Sequence, residues 1–211
     1  MVNLEKYKND GWGLSKKCLQ DIFLIVKSYD LKPINVLEFG SGVSTEFFVD
    51  LILDGKKINI VSYDDDIQFS TKAKHENLKL IITDLVECYD SDYEKQFIEK
   101  KYNPNLFYKL LSDKDTKQKN VFYKIVEEDL PKNIDIMILD GPHGNGRNIA
   151  FLVCNGKLKK GSYVVIDDYN HYDFVEKFEK IFDNVELISK SDSGSTNQWE
   201  LGGNYVIYKI K

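Results

Sequence analysis

A glycine-rich turn follows the first apolar run of the sequence. The stretch INVLEFGSGVST covers residues 34–45 and places Gly40 and Gly42 two positions apart. Glycines in such a turn let a backbone approach a nucleotide closely, because they carry no Cβ and tolerate positive φ. Thr45 stands where the G-x-G-x-x-G pattern of dinucleotide sites has its third glycine. The turn predicts nucleotide binding, and neighbouring residues must decide which nucleotide.

Two acidic residues near the turn bear on that choice. Glu38 lies just before Gly40, and Asp64 ends the next apolar run, about 20 residues beyond the turn. A carboxylate beside the turn repels the pyrophosphate of a dinucleotide and attracts a cationic amino group. Glu38 therefore favours a ligand such as S-adenosylmethionine, with a salt bridge at the strand end as its alternative role. Asp64 is placed to accept ribose hydroxyls, which both kinds of ligand contain.

Three carboxylates and two histidines form a second group of candidate site residues. Asp140 and His143 lie in DGPHG, and Asp167, Asp168 and His171 lie in DDYNH. Three carboxylates at one edge of a sheet are costly unless protons or a cation relieve them, and Mg²⁺ prefers such oxygen ligands. A histidine, with an unperturbed pKa of about 6.5, can accept a proton at neutral pH. The group predicts a Mg²⁺ site formed by the three aspartates, with Asp140, His143 and His171 as catalytic residues.

Plainer roles stay open for these residues. Asp140 could line a cofactor pocket while Asp167 and Asp168 cap the following helix, and a histidine in a loop is usually a surface residue. Arg147 is a candidate for holding an acidic or sugar-phosphate substrate, and a solvated arginine at a helix start is the alternative that we favour. Trp12 either closes over the cofactor as a lid or packs against the first helix.

Alternating strands and helices must position these groups. Helical spacing of apolar residues predicts a first helix between Ser15 and Tyr29 and a second from Ser44 or Thr45 to Gly55. Short apolar runs predict five strands at INVLEF, INIVSYD, LKLIITD, IDIMILD and SYVVIDD. Such alternation predicts an α/β fold whose parallel sheet has helices on both faces and gathers the acids at its carboxyl edge. The closing segments NVELISK and NYVIYKI predict an antiparallel hairpin.

The length of 211 residues suits one domain covering 1–211. Residues 1–32 are expected to form an N-terminal helical segment. Residues 86–120 are longer than a typical connection and rich in Tyr, Lys and Asp, which predicts an insertion or a lid over the site. A pair of solvated surface helices is the alternative for this segment.

Composition and charge limit the possible partners. A net charge of -5 offers no general attraction to nucleic acid, so a nucleic-acid partner is unlikely on charge grounds. The apolar runs are much shorter than the roughly 20 residues that span a bilayer, and the first ten residues lack the apolar core of a signal peptide. These features predict a soluble, cytoplasmic protein. Cys18, Cys88 and Cys154 are odd in number and far apart, which indicates free buried thiols.

Five motifs in the right order make the sequence similar to the class I S-adenosylmethionine-dependent methyltransferases. VLEFGSGVST resembles their first motif, VSYD the second, IITDLVE the third, IDIMILDGPHG the fourth, and LKKGSYVVIDDY the turn into the fifth strand, with Ser162 in place of a second glycine. The resemblance implies a seven-stranded, mostly parallel Rossmann-like sheet ending in an antiparallel hairpin. It also implies S-adenosylmethionine as cofactor, with Asp64 on the ribose and Asp84 facing the adenine amino group. The cofactor-binding residues implied are Glu38, Gly40, Gly42, Ser44, Asp64 and Asp84.

The acids after the fourth and fifth strands narrow this expectation. Their positions resemble those of metal-dependent O-methyltransferases of the catechol and macrolide-sugar types, which implies O-methylation of a small molecule or a sugar hydroxyl. One rival is an NAD-dependent oxidoreductase, against which Glu38 and the missing third glycine count. A non-catalytic adenosyl-binding protein is the other. The net negative charge and the lack of an Asn-Pro-Pro-Tyr motif after the fourth strand argue against a nucleic-acid methyltransferase.

Overall fold

The computed structural model describes residues 2–7, 13–110, 119–191 and 203–211. Trp12, for which a lid role was one prediction, lies outside these residues, as does most of the polar stretch before the last strand. The α-helices are α1 (Lys16–Ser28), α2 (Val43–Leu53), α3 (Asp90–Glu99), α4 (Ile149–Val153) and α5 (Phe174–Ile181). The strands are β1 (Ile34–Phe39), β2 (Ile58–Asp64), β3 (Leu78–Ile82), β4 (Leu85–Cys88), β5 (Phe107–Leu110), β6 (Val121–Tyr123), β7 (Ile134–Leu139), β8 (Leu158–Asp167), β9 (Val185–Ser191) and β10 (Tyr205–Ile210).

Seven strands form the main sheet in the order β3-β2-β1-β7-β8-β10-β9. The pairs from β3 to β8 are parallel, and β10 runs antiparallel to both β8 and β9. The predicted α/β Rossmann-like fold with an antiparallel hairpin at its end is therefore confirmed. The carboxyl ends of β1, β2, β7 and β8 meet at one edge of this sheet, as parallel pairing requires.

Helices cover both faces of the main sheet. Successive strand residues point to opposite faces, so Val36 and Ile136 pack with α1 and α2 on one side, while Leu37 and Met137 pack with α3, α4 and α5 on the other. Each face thus has its own apolar core, which explains why β1 and β7 are apolar along almost their whole length.

The predicted first helix is confirmed, with its start one residue after the predicted cap. Ser15 Oγ accepts a hydrogen bond from the backbone N–H of Cys18 at 3.1 Å, which satisfies a donor of the first turn. The buried side chains of α1 are Cys18, Leu19, Ile22, Ile25 and Val26. This stripe is the one that the apolar spacing indicated.

Two strands differ in length from their predictions. The third strand ends at Ile82, because the chain leaves the main sheet and starts β4 at Leu85. The fifth predicted strand, β8, begins earlier, at Leu158. Gly161 adopts a φ of +96°, and Ser162 Oγ donates to the backbone oxygen of Ile134 at 2.6 Å, so an irregular stretch still belongs to the strand.

A second, three-stranded antiparallel sheet with the order β5-β4-β6 follows β3. Together with α3 it accounts for most of the 86–120 segment, whose described part contains one α-helix and strands rather than a pair of helices. Phe97, Phe122 and Tyr123 are buried against the main sheet. The insertion or lid role of the segment stays a prediction.

All three cysteines are buried free thiols, as predicted. Burial raises the pKa of each of them. Within the parts of the chain that the structure describes, no helix has the length and apolar character needed to cross a membrane.

Candidate active site

The turn between β1 and α2 contains two glycines with different surroundings. Gly40 has a φ of +94°, and a Cβ there would lie 2.8 Å from the carbonyl carbon of Asp140 and from the nitrogen of Gly141. A Cβ on Gly42 would meet nothing within 4 Å. Gly40 is therefore required for packing within the protein, whereas Gly42 leaves open space at the mouth of the turn. That space is where a ligand could approach the backbone.

Glu38 is fully buried behind this turn. Its carboxylate accepts hydrogen bonds from Ser44 Oγ at 2.5 Å, Thr45 Oγ1 at 2.5 Å and Ser62 Oγ at 2.6 Å. Burial raises the pKa of Glu38, and the three hydroxyl donors oppose that rise. The salt bridge considered for Glu38 is absent among the described residues, since its partners are hydroxyls. Because this carboxylate is buried, a ligand cannot contact it directly. Its charge can affect a ligand only through the electrostatic potential at the turn.

Thr45 occupies the third glycine position and has a defined structural role. Its hydroxyl accepts a hydrogen bond from the backbone N–H of Gly42 at 3.0 Å while donating to Glu38. Ser44 is also buried and donates to Glu38, which leaves its backbone N–H at the helix start as its means of contacting a cofactor.

Asp64 lies beside the turn, at the end of β2. Its Oδ2 accepts hydrogen bonds from Ser41 N at 3.0 Å and Ser41 Oγ at 2.8 Å, and its Oδ1 accepts one from Asp66 N at 2.9 Å. A carboxylate can accept about four hydrogen bonds. Asp64 therefore keeps acceptor capacity, and its predicted contact with ribose is compatible with this geometry.

Asp84 is exposed beyond the end of β3. It lines a surface cavity of about 310 Å³ together with Asp65, Ile82, Thr83, Lys124 and Val126. The Asp84 backbone oxygen accepts a hydrogen bond from Lys124 N at 2.9 Å, which ties the cavity wall to the residue after β6. Asp84 thus lies where a group bound beyond β2 and β3 could reach its carboxylate.

Asp140 and Asp167 form a carboxyl pair at the ends of β7 and β8. Burial, followed by the charge of Asp167, raises the pKa of Asp140 well above its usual range. Burial, followed by the charge of Asp168, raises the pKa of Asp167 to about 6. Asp167 Oδ1 is buried without a conventional donor among the described residues. Two carboxyl groups that interact in a buried place disfavour double ionisation, which favours a proton on one member of the pair.

Arg147 is buried beside this pair, and the expectation of a solvated arginine is wrong. Its Nε donates to the backbone oxygen of Pro142 at 2.9 Å, and its Nη1 donates to that of Asp167 at 3.3 Å. The guanidinium lies 5.4 Å from the ring centre of Phe174. Its charge lowers the pKa of both carboxyl groups and so partly offsets the effect of burial.

Asp168 and the two candidate histidines lie together at the rim of the site. Asp168 has a φ of +52°, and its Oδ2 lies 3.6 Å from His171 Nδ1. His143 is exposed, and its ring meets that of Tyr172 edge-on at 6.3 Å. Desolvation and the charge of Arg147 lower the pKa of His143, which favours the neutral, proton-accepting form. The catalytic role of His143 and His171 remains a prediction.

The Mg²⁺ site expected from Asp140, Asp167 and Asp168 is not supported by their arrangement. Burial and mutual repulsion raise the pKa of Asp140 and of Asp167, whereas the Asp168 carboxylate lies near His171. Across the described ranges, no group of three or more His, Cys, Asp or Glu side chains could hold a metal ion.

The hydroxyl partners of the two turn acids were missed in the sequence. Ser41, Ser44 and Thr45 lie inside the glycine-rich motif, and a buried acid followed by hydroxyl residues at the start of a helix is a signal that could have identified them. Ser62 lies opposite Glu38 in the pairing of β1 with β2, so finding it requires the register of the sheet.

No model of a protein family matches this sequence, and no curated protein matches it significantly. Solved structures do share the fold. Precorrin-6y C5,15-methyltransferase from Geobacter metallireducens aligns with a TM-score of 0.52 and 12% identity, over 97% of this chain and 93% of that one. A proposed O-methyltransferase from Klebsiella pneumoniae aligns with a TM-score of 0.52 and 9% identity, over 99% and 86%. At these identities the likeness concerns the fold alone.

The contrast between the two glycines predicts different effects on stability. Gly40→Ala should lower the free energy of unfolding by about 1–3 kcal/mol, because the new Cβ collides with backbone at a positive φ. Gly42→Ala should change it by less than about 0.5 kcal/mol, since nothing lies near its Cβ. Urea unfolding of both variants measures the difference. Equal losses in the two variants would contradict the distinction.

The carboxyl pair predicts a pH-dependent stability. Because folding raises both pKa values, the contribution of the pair is complete below about pH 4, where unfolded carboxyls are protonated, and is lost as pH rises through about 6 for Asp167. Asp140→Asn removes one charge and supplies an amide donor. The free energy of unfolding of the variant minus that of the unmutated protein should therefore rise by about 1–3 kcal/mol when the pH increases from 4.5 to 8. Thermal unfolding at the two pH values tests this, and a difference independent of pH would refute the raised pKa values of the pair.

Proposed function

We propose that this protein is an S-adenosylmethionine-dependent methyltransferase that methylates a hydroxyl group of a small molecule or sugar. The observation that carries the proposal is the open space beside Gly42, at the carboxyl edge of a sheet shared with known methyltransferases. Asp64 next to the turn and Asp84 on the adjacent cavity supply acceptors for ribose and for an amino group of a base.

The buried Glu38 supports a ligand without phosphate at the turn. The start of a helix normally attracts phosphate, because its free N–H groups and the helix dipole present partial positive charge. Here a buried carboxyl group bonded to Ser44 and Thr45 lies behind that helix start. When ionised, it offsets the positive potential that a dinucleotide pyrophosphate would use. The adenosyl ligand has no phosphate and carries cationic groups, so it does not meet this penalty.

Methyl transfer requires a nucleophile aligned with the methyl group and a group that removes its proton. Asp140 follows β7, and its backbone packs against Gly40, so its carboxyl group lies next to the cofactor turn. A carboxyl group with a raised pKa is a stronger base than an ordinary aspartate, and it accepts the proton in those molecules in which Asp140 is ionised. His143 and His171 at the same rim are the other candidates for the proton acceptor. Bound S-adenosylmethionine supplies the methyl group.

Calorimetric titration with S-adenosylhomocysteine tests the cofactor, with NAD as the parallel ligand. We expect micromolar binding of the first and none of the second. Gly42→Val should abolish that binding, because its side chain fills the space at the turn, while thermal unfolding shows an intact fold. Asp64→Asn should weaken binding by about tenfold, through loss of a charged acceptor. Unchanged affinity in Gly42→Val, or binding of NAD alone, would refute the cofactor assignment.

A screen of hydroxylated acceptors with radiolabelled S-adenosylmethionine tests catalysis. Once an acceptor is found, Asp140→Asn should lower kcat by about a hundredfold or more, the usual contribution of a positioned base. His143→Gln should lower kcat if this histidine shares the role, with His75→Gln as the control because His75 lies outside the site. Turnover should persist in a chelator, since the acids form no metal-binding group. Cofactor binding without turnover on any acceptor would favour the non-catalytic alternative.

A further inference from the structure

The turn after β7 is held along one side by β6. Three contacts follow each other along this strand. The residue before β6, Asn120, pairs with Asn145; Val121 lies against Gly146; and the hydroxyl of Tyr123 lies against Gly141. The turn and the strand are therefore in contact along most of their length.

The Asn120–Asn145 pair is reciprocal. Asn145 Oδ1 accepts a hydrogen bond from Asn120 N at 3.0 Å, and Asn145 Nδ2 donates to Asn120 Oδ1 at 2.8 Å. Asn120 Nδ2 in turn donates to Asp90 Oδ1 at 2.6 Å, at the start of α3. Asn120 adopts a φ of +56°, a conformation that asparagine tolerates better than most residues. The amide of Asn145 accepts with its oxygen and donates with its nitrogen, so truncation to alanine removes both bonds at once.

Two glycines let the turn lie close to β6, Gly146 against the backbone of the strand and Gly141 against a side-chain hydroxyl. A Cβ on Gly146 would lie 2.0 Å from the backbone oxygen of Val121, and a Cβ on Gly141 would lie 2.4 Å from Tyr123 Oη. No other residue fits at Gly146 without displacing the backbone of β6, whereas a Cβ on Gly141 would displace the Tyr123 hydroxyl and collide with the backbone of Gly40 at 2.9 Å. The turn thus has little freedom to move away from the strand.

The opposite side of the same turn meets the cofactor turn. The backbone of Asp140 and Gly141 lies against Gly40, which has no room for a Cβ. The turn also carries His143. One loop therefore connects β6, the candidate base and the glycine-rich turn.

We propose that Asn145 is a positioning residue, which holds the 141–146 turn on β6 and thereby fixes His143 relative to the Gly40 turn. Methyl transfer depends on the alignment of donor, acceptor and base, so a loop that fixes two of these parts is a direct requirement of the reaction. This meaning for catalysis rests on the proposed function. The positioning itself does not. In this arrangement Asn120, the last residue of the 86–120 segment, helps to hold the 141–146 turn in place.

Two variants separate positioning from plain stabilisation. Asn145→Ala removes both bonds of the reciprocal pair. Asn155→Ala is the matched control, because Asn155 Nδ2 also joins the main domain to the segment, through the Lys100 oxygen at 2.9 Å, away from the turn. The first readout is the ring resonance of His143 in protein labelled with ¹³C-histidine, which contains three histidines. The second is the affinity for S-adenosylhomocysteine.

In Asn145→Ala we expect the His143 resonance to shift or broaden while that of His75 stays unchanged. We expect affinity for S-adenosylhomocysteine to fall by about threefold or more, because the turn supports Gly40. Asn155→Ala should leave both readouts unchanged. A lower melting temperature in Asn145→Ala with an unaltered His143 resonance would overturn the proposal, since the pair would then only stabilise the fold.

A second variant covers the case in which Asn145→Ala does not fold. Asn120→Gly removes the other amide, and glycine accepts the positive φ of that position. It should displace the His143 resonance in the same way, and an unaltered resonance would again overturn the proposal. If the unmutated protein binds no S-adenosylhomocysteine, the proposed cofactor fails, but the resonance of His143 still decides whether Asn145 positions the turn.

Discussion

The hydrogen bonds of the buried Glu38 carboxyl group are the interaction on which the glycine-rich turn depends. The carboxyl group gathers hydroxyls from the first turn of α2 and from β2, so three elements meet at one side chain. Charge-assisted hydrogen bonds of this kind contribute about 1.5–3 kcal/mol each, but they also offset the cost of burying the acid. Their main effect is geometric. With α2 and β2 fixed to β1, the position of Gly42 and the distance from Ser41 to Asp64 are fixed as well.

A second constraint operates at the ends of β7 and β8, where burial removes carboxyl groups from solvent. The charge of Arg147 partly offsets the effect of burial on Asp140 and Asp167, while its hydrogen bonds go to backbone oxygens rather than to the carboxyl groups. Because the arginine is committed to the backbone, it stabilises negative charge without closing the acids in a salt bridge. The site therefore keeps a carboxyl group able to exchange a proton. A direct ion pair with Arg147 would lower the pKa of the carboxyl group and keep it ionised near neutral pH.

The sequence was sufficient for the fold because most strands of the main sheet contain a short apolar run bounded by turn residues. It was also sufficient to bring His143, His171 and the acids to one edge, since parallel strands end together. It could not reveal that Glu38 is satisfied by hydroxyls, because Ser62 joins it only through strand pairing. The burial of Arg147 depends on the path of the chain after β7, and the orientation of Asp168 depends on a positive φ that no local pattern specifies. The second sheet was missed because β4, β5 and β6 are only three or four residues long.

The burial of all three cysteines has a practical consequence for spectroscopy. Thiolates are the reactive form of cysteine, and these thiols are both shielded from solvent and held protonated by their surroundings. Maleimide dyes and spin labels should therefore find little native background on the folded protein. Two introduced cysteines, one on the exposed face of α3 and one on an exposed strand of the main sheet, would carry a pair of probes that reports the distance between the 86–120 segment and that sheet.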